Sequence, residues 1–377
     1  MSDVLMNANF PQSEYDRIVT QFESSLMSAK SDPDQMAQNA VAKVNFPGHP
    51  FGEVMNEESL KNIQLEDVIN YYKTTFVPEG SYLVIVGDIN RTEAENAVDK
   101  YFATWTGKMI EKTTYAEAKV GKGNRVIFVN KPGAVQSSVQ ITYPVAIVPG
   151  AEDQIALNVL NGILGGGAFG NRLMQNLRED KAYTYGCRSE LSVEREGSLF
   201  LAGGNFRNDV TDSAITQILF EIDNLSNGYV TDDELKLTKS SMAGGFARSL
   251  ESPNTVARFA LNIIRNNLSK DYYKSYLTRL DAISKDDVLE MSQKYFTAKN
   301  CNIIVVGNEE VLERLKQFDA DGIIERLDAF GNEVKEMKPA TISADELLKN
   351  YVAAVTQTKS PKELSKKLKS VKLKEKF

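Results

Sequence analysis

Two cysteines, one histidine and one tryptophan are all that the 377 residues contain of those three types, and each scarcity excludes something. Two thiols cannot build a disulfide framework or a four-cysteine metal knuckle. Cys187 and Cys301 both fall in strand-like stretches, where buried free thiols are the expectation. The single histidine, His49, cannot make a histidine-rich zinc site. A Ser-His-Asp or Cys-His relay would have to use it as the base, and no GxSxG turn marks a nucleophile. His49 lies in Pro47-Gly48-His49-Pro50-Phe51-Gly52 and reads as part of a fixed turn. No apolar run approaches the roughly 18 to 20 residues that span a bilayer. Met1 is followed by polar Ser2 and Asp3 rather than by a charged and then apolar leader. No transmembrane segment is therefore expected, and as written the chain reads as soluble and cytoplasmic. A periplasmic location would require a signal upstream of Met1, so the compartment stays open.

What is present is ordinary globular material, 42% hydrophobic and 25% charged, and long enough for two domains. The net charge of -7 hides an asymmetry. Thr358 to Phe377 holds eight Lys and two Glu, or +6, which leaves -13 for the remainder. In that tail Leu364, Leu368 and Val371 recur at helical spacing, a pattern compatible with a membrane surface or a nucleic acid. Lysines without aromatic partners read better as a solvated terminus, and no nucleic-acid partner is expected.

Comparison of the chain with itself exposes its architecture. A shift of 220 residues pairs Leu60 with Leu280, Ile63 with Ile283, Asp67 with Asp287, Val68 with Val288, Phe76 with Phe296 and Gly87 with Gly307. Without a gap, the same shift pairs Pro33 with Pro253, Ala37 with Ala257 and Glu14 with Glu234. Both copies open with a helix, reach a capped helix near Asp67 or Asp287, and end in an apolar run, Leu83 to Val86 or Ile303 to Val306, that reads as a central strand. The second copy also has an upstream half. Strand Arg125 to Val129, the Lys131-Pro132-Gly133-Ala134 turn and strand Val135 to Tyr143 read as a hairpin with one buried face. A helix from Glu152 to Leu164, strands near Tyr183 to Leu191 and Ser198 to Gly204, and a helix with the stripe Ile215, Ile218, Leu219, Ile222 and Leu225 follow.

The fold class expected is therefore α+β: a duplicated unit of a mostly antiparallel sheet with helices packed on one face, its first copy incomplete. Residues 1–110 read as the C-terminal part of a first unit, 111–124 as a linker, 125–318 as a complete second unit and 319–377 as an appendage with a basic helical tail. A first copy without hairpin strands would expose unpaired backbone and an apolar helix face. Residues 319–342 look irregular, and a helix is expected from Ala344 to Val355, after Ser343.

Gly165-Gly166-Gly167-Ala168-Phe169-Gly170 satisfies GxGxxG, but a helix precedes it where a dinucleotide site needs a strand. It reads instead as a helix stop followed by bare backbone that another chain can approach, or as a plain helix-helix turn. Arg178 closes the helix begun near Phe169, and Tyr185 follows seven residues later on the next strand. A guanidinium and a phenol so placed can converge on a peptide carbonyl. A surface arginine and a half-buried strand tyrosine are the plainer alternative.

With these features assembled, residues 1 to about 318 resemble the pitrilysin/insulinase family of zinc peptidases, which includes mitochondrial processing peptidase. Leu164-Gly165-Gly166-Gly167, Arg172-Leu173, Leu177-Arg178-Glu179 and Tyr185-Gly186 are similar to the family's second-unit signature, and His49-Pro50-Phe51-Gly52 to its first-unit loop. Lys131-Pro132-Gly133-Ala134-Val135-Gln136 is also typical. The resemblance implies a clamshell in which one unit carries zinc on HxxEH and a distant Glu. The partner unit grips an extended peptide with an Arg and a Tyr, which by position are Arg178 and Tyr185, beside Gly165, Gly166, Gly167 and Gly170. This sequence has no HxxEH. The position where active members place the third ligand falls on Ser25, with Glu23 two residues away. The resemblance thus implies no catalytic residue and no metal site in this chain, with zinc in a partner or an upstream segment. The expected function is the substrate-binding half of a two-part zinc metalloendopeptidase, working with an HxxEH-bearing subunit or as a homo-oligomer. The alternative is an inactive structural or interaction paralogue.

Overall fold

The computed structural model describes residues 1–109, 111, 113–167, 170–228, 230–334, 346 and 349–351. The first stretch is helical: α1 (Ser2–Met6), α2 (Gln12–Ala29), α3 (Pro33–Asn45), α4 (Glu57–Asn62), α5 (Leu65–Thr75) and α6 (Arg91–Phe102). Then come β1 (Arg125–Asn130), β2 (Gln136–Val145), α7 (Gln154–Asn161), β3 (Cys187–Ser192), β4 (Ser198–Arg207), α8 (Thr211–Ser226), α9 (Asp232–Ser249), α10 (Pro253–Arg265), α11 (Tyr276–Ala282), α12 (Lys285–Tyr295), β5 (Asn302–Gly307), α13 (Leu312–Leu315) and β6 (Glu325–Leu327).

The duplication is visible in these bounds. Shifted by 220, both ends of α2, α3 and α5 coincide with those of α9, α10 and α12. The chemistry that starts the helices repeats as well. Asp67 accepts a bond from the Gln64 backbone N–H at 2.7 Å, and Asp287 accepts from the Ser284 N–H at 2.8 Å, so each carboxylate closes a capping box.

The sheet runs in the order β3-β4-β2-β5-β1-β6, with β5 and β6 parallel to β1 and the other neighbours antiparallel. The hairpin expected from residues 125–143 is therefore not a paired hairpin. Its two strands are present, but β5 enters between them, placing Ile304 beside Ile127 and opposite Gln140. A period-2 pattern reports which face is buried and not which strand is the neighbour. The gap left for β5 is two strand spacings, about 10 Å, which the 131–135 connection can span. Insertion pairs β5 on both edges, and all four of its residues from Ile303 to Val306 are fully buried.

One face of the sheet carries the main core. Phe128, Val139, Ile141, Tyr143 and Phe200 pack there against Leu157 and Leu160 of α7, Ile215 and Ile222 of α8, Leu280 of α11 and Val288 and Met291 of α12. The other face is partly covered by α3, whose Met36, Ala37, Ala40 and Val41 meet Ile127, Val129, Ile304 and Val306. Of the polar half of the β2 alternation, Ser138 and Thr142 are consequently buried rather than wet, Gln140 is half-buried and Gln136 stays exposed. Thr142 donates to the Phe200 carbonyl at 2.8 Å, Asn45 of α3 reaches Thr142, and Asn302 donates to Asn45 at 3.1 Å.

Leu83 to Val86, read from the sequence as a strand, joins no ladder among the described residues. Its equivalent, β5, is a strand because β1 and β2 flank it, and Leu83 to Val86 has no such neighbours. Residues 319–334 are more ordered than their composition suggests: β6 adds to β1, and Arg125 clamps Glu325 with two bonds of 2.8 Å. Residues 1–333 form one contact unit and 334–377 another. In the second, Glu346 and Lys349 to Tyr351 are helical, as expected within 344–355, while the basic tail from Thr358 lies outside the described residues.

Asp153, just before α7, accepts from Lys294 Nζ at 2.5 Å and from the Tyr295 hydroxyl at 2.7 Å, tying α7 to the end of α12. The Lys294 bond, then the Tyr295 bond, holds the Asp153 carboxyl below its usual range. A depressed carboxyl stabilises the fold above its unfolded value of about 3.9 and loses that contribution as pH falls through the lower folded value. Asp153→Asn should therefore lower the urea midpoint relative to the parent protein at pH 5 to 7. The difference should shrink as the pH falls below about 4 and vanish only beneath the lower folded value; a gap that persists in strong acid would mean the carboxylate charge is not its source.

Candidate functional site

The glycine-rich segment begins inside the helix that α7 starts. Gly162–Gly166 is wound as a π-helical turn, with Gly167 N–H donating to the Gly162 carbonyl at 3.2 Å. Gly165 is buried against β3, where a Cβ would stand 2.5 Å from Ser189 N. Only a bare backbone permits that approach. Gly166 is exposed, Gly167 is extended, and Gly170 takes a φ of +95°. Ala168 and Phe169 lie outside the described residues.

Asn171 restarts the helix by capping Met174 N–H at 3.0 Å, and the Arg172 guanidinium forks onto Glu234 of α9 at 2.7 and 3.1 Å. Burial raises the Glu234 carboxyl, but Arg172 and Thr231 outweigh it and hold the group below the usual range. Met174–Asp180 is a second π-helical stretch, and Arg178 lies near its end with a half-exposed side chain, 3.6 Å from Glu179. Ala182 N–H closes onto the Arg178 carbonyl at 3.2 Å with a positive φ, and Arg207 of β4 donates to the Ala182 carbonyl at 2.8 Å. Thr184 Oγ1 then accepts from Gly186 N–H at 3.0 Å. The result is a pinned turn that throws Tyr185 outward.

Tyr185 is 92% exposed and lies two residues before β3 rather than on a strand. That excludes the half-buried strand tyrosine. No hydrogen bond or ring contact joins Tyr185 to Arg178 among the described residues; one turn places both. Tyr185 overlooks a groove of about 490 Å³ with Asp34, Gln140, Arg188, Gly203 and Asn205 in its walls. Asp34 accepts from Ser138 Oγ at 3.0 Å, and the buried Gln140 Oε1 has no partner. Sequence reading missed Gln140, Asp34 and Arg188. Gln140 was taken for the wet side of β2, and only the unexpected packing of α3 turns that side into a groove. Among the described residues the sheet ends at β3, whose outer edge has no paired strand.

The residues present do not fit a zinc ion. His49 is 5% exposed, and its Nδ1 is committed to Phe51 N–H at 3.1 Å. Its ring meets those of Phe51 and Tyr115 edge to face, which makes it part of an aromatic turn. Cys187 and Cys301 are free and buried, and burial pushes the Cys301 thiol up to about 12 and that of Cys187 higher still. Metal-binding thiolates require the opposite shift. Among the described residues no group of three His, Cys, Asp or Glu side chains could hold a metal. Glu23 is exposed on α2. No helix among the described residues is long and apolar enough to cross a membrane.

The sequence pattern of the family described as Peptidase M16 inactive domain matches residues 62–242, a span containing the glycine-rich segment, Arg178 and Tyr185. Over that span the chain carries an M16 inactive domain. It is 24% identical over 307 residues to the uncharacterized zinc protease YmxG of Bacillus subtilis, covering 79% of this chain and 71% of that protein. It is 23% identical over 248 residues to the probable inactive metalloprotease YmfF of the same organism, covering 65% of this chain and 56% of that one. In fold it is similar to the M16 inactive domain from Pseudomonas fluorescens, with a TM-score of 0.75, 21% identity and coverage of 81% of this chain and 73% of that chain. The M16 inactive-domain match and the α+β class agree with the resemblance carried by the Arg/Tyr spacing and the repeat.

Gly165 and Gly186 separate close packing from open space. Gly165→Ala should destabilise the chain by about 1–3 kcal/mol, since its Cβ meets the β3 backbone. Gly186→Ala, with nothing within 4 Å, should change stability by less than about 0.5 kcal/mol. Equal urea midpoints for the two variants would contradict the packing assigned to Gly165.

Proposed function

We propose that this chain is the peptide-gripping half of a two-part zinc metalloendopeptidase. An extended peptide lies along the free edge of β3, adding to the sheet through backbone hydrogen bonds. Tyr185 O–H and the Arg178 guanidinium donate to its carbonyl oxygens, and Gly166, Gly167 and Gly170, beside the tightly packed Gly165, let the peptide backbone approach. The observation that carries this reading is the near-complete exposure of Tyr185 on a turn pinned by its neighbours, at the β3 end of the sheet and beside a polar groove. An aromatic side chain held in solvent by so many bonds has no packing role.

Zinc-activated water is the chemistry of the two-part enzyme, and the described residues offer no ligand group for the ion. The metal therefore belongs to an HxxEH-bearing partner or to further sequence. The division proposed is 1–110 as part of a first unit, 111–124 as linker, 125–318 as the gripping unit and 319–377 as appendage. A second reading is an inactive interaction paralogue. It is favoured by the likeness to the probable inactive metalloprotease YmfF and by the lack of direct contact between Arg178 and Tyr185.

The purified chain alone is expected to bind no stoichiometric zinc and to cleave no peptide. A fluorescein-labelled disordered peptide with alternating apolar and polar residues should bind, followed by anisotropy. Arg178→Ala and Tyr185→Phe should each weaken binding about tenfold, or ~1.4 kcal/mol, as befits one lost hydrogen bond. Binding that ignores both substitutions removes the assigned roles, and no binding at all favours the paralogue.

A further inference from the structure

The aromatic turn around His49 uses only half of its imidazole. Nδ1 accepts from Phe51 N–H, which assigns the ring proton to Nε2. That donor has no partner, although the side chain is only 5% exposed. A buried donor left unmatched is costly, so the position calls for an acceptor. His49 lines a cavity of about 540 Å³, within the roughly 300–1,000 Å³ of small-molecule sites. Its walls are the end of β2 and the residues after it, the turn between β3 and β4, and residues 113–118 before β1. Val145 and Ile147 give it a buried apolar wall, and Tyr115 an aromatic one, with its ring edge to face on His49 at 4.9 Å. Two other hydroxyls of the lining are already engaged, Ser198 with the Ile147 carbonyl and Tyr295 with Asp153. The charged residues of the lining are all exposed: Glu117, Glu194, Arg195 and Glu196, three carboxylates to one guanidinium.

We propose that this cavity binds a small amphipathic amine: its ammonium group lies among the carboxylates, its apolar body on Val145 and Ile147, and one oxygen atom accepts from His49 Nε2–H. Binding here does not depend on the β3 groove. Three features select this chemistry. The excess of carboxylates over guanidinium favours a cation and disfavours an organic acid of the same shape. The Tyr115 ring beside those carboxylates adds a cation–π attraction. The unmatched His49 donor favours an amine that also carries a hydroxyl or carbonyl over a plain alkylamine, because only the former satisfies Nε2–H when water is displaced.

Because His49 is the only histidine, its imidazole gives a single set of nuclear magnetic resonance signals that needs no assignment. Phenylalaninol titrated into the isotope-labelled full chain should shift the Nε2 signal saturably. Phenethylamine, with the same ring and cation but no hydroxyl, should bind about tenfold more weakly. Phenylpropionate, with the charge reversed, should leave the signal unmoved. Glu194→Gln combined with Glu196→Gln, both at exposed positions, should weaken phenylalaninol about tenfold with unchanged circular dichroism. A histidine signal that none of the probes moves means that water alone satisfies Nε2–H, and overturns the proposal. So does phenylpropionate binding as tightly as phenylalaninol. Equal affinities for phenylalaninol and phenethylamine, or equal affinities of the parent and the double variant for phenylalaninol, overturn it as well.

Discussion

The pairing of β5 on both of its edges is the constraint from which the rest of the second unit follows. Residues 302–307 return from the end of the repeat to separate β1 from β2, so the sheet cannot form until the chain has nearly closed on itself. Once β5 is in place, its two faces are committed in opposite directions. Ile303 and Val305 point into the core under α7, α8 and α12, while Ile304 and Val306 require the cover that α3 brings from the other copy. The two copies are thus joined by burial as well as by the chain, and the residues that read separately in sequence fold into one contact unit from 1 to 333.

The turn that carries Tyr185 depends on that sheet through a short series of contacts. Gly165 lets the α7 extension lie directly on β3, Arg172 anchors the next helix to α9, and Arg207 of β4 holds the carbonyl of Ala182. Each contact fixes the loop that carries Tyr185 against a different element. The phenol is positioned by backbone geometry rather than by its own packing, which leaves it free to donate. Arg178, seven residues earlier, is carried by the same turn with a half-exposed side chain, and among the described residues its ion pair is with the adjacent, exposed Glu179.

Much of this was legible in the residues, and the failures have physical causes. The 220-residue shift and the capped helices near Asp67 and Asp287 were legible because capping boxes are local chemistry, and the structure adds that the paired helix ends agree to the residue. The M16 likeness was legible in the Gly165 segment and the Arg178/Tyr185 spacing. The supposed hairpin failed because alternation encodes a buried face and says nothing about which strand lies next. The strand expected at Leu83 to Val86 failed because strand character needs a partner, and its apolar residues are the same with or without one. Asp34 and Gln140 escaped notice because their groove exists only where α3 crosses the far face of β2 and β4, a contact between residues about 100 apart in sequence.

The claim on which the account rests is that an extended peptide pairs with the outer edge of β3 beside Tyr185. Amide hydrogen exchange of the full chain, with and without saturating labelled peptide, tests it most directly. The account predicts slower exchange confined to Thr184 and the β3 residues Cys187 to Ser192 whose amides face outward, with β1 and β5 unchanged. Exchange along β3 that is the same with and without bound peptide would contradict it.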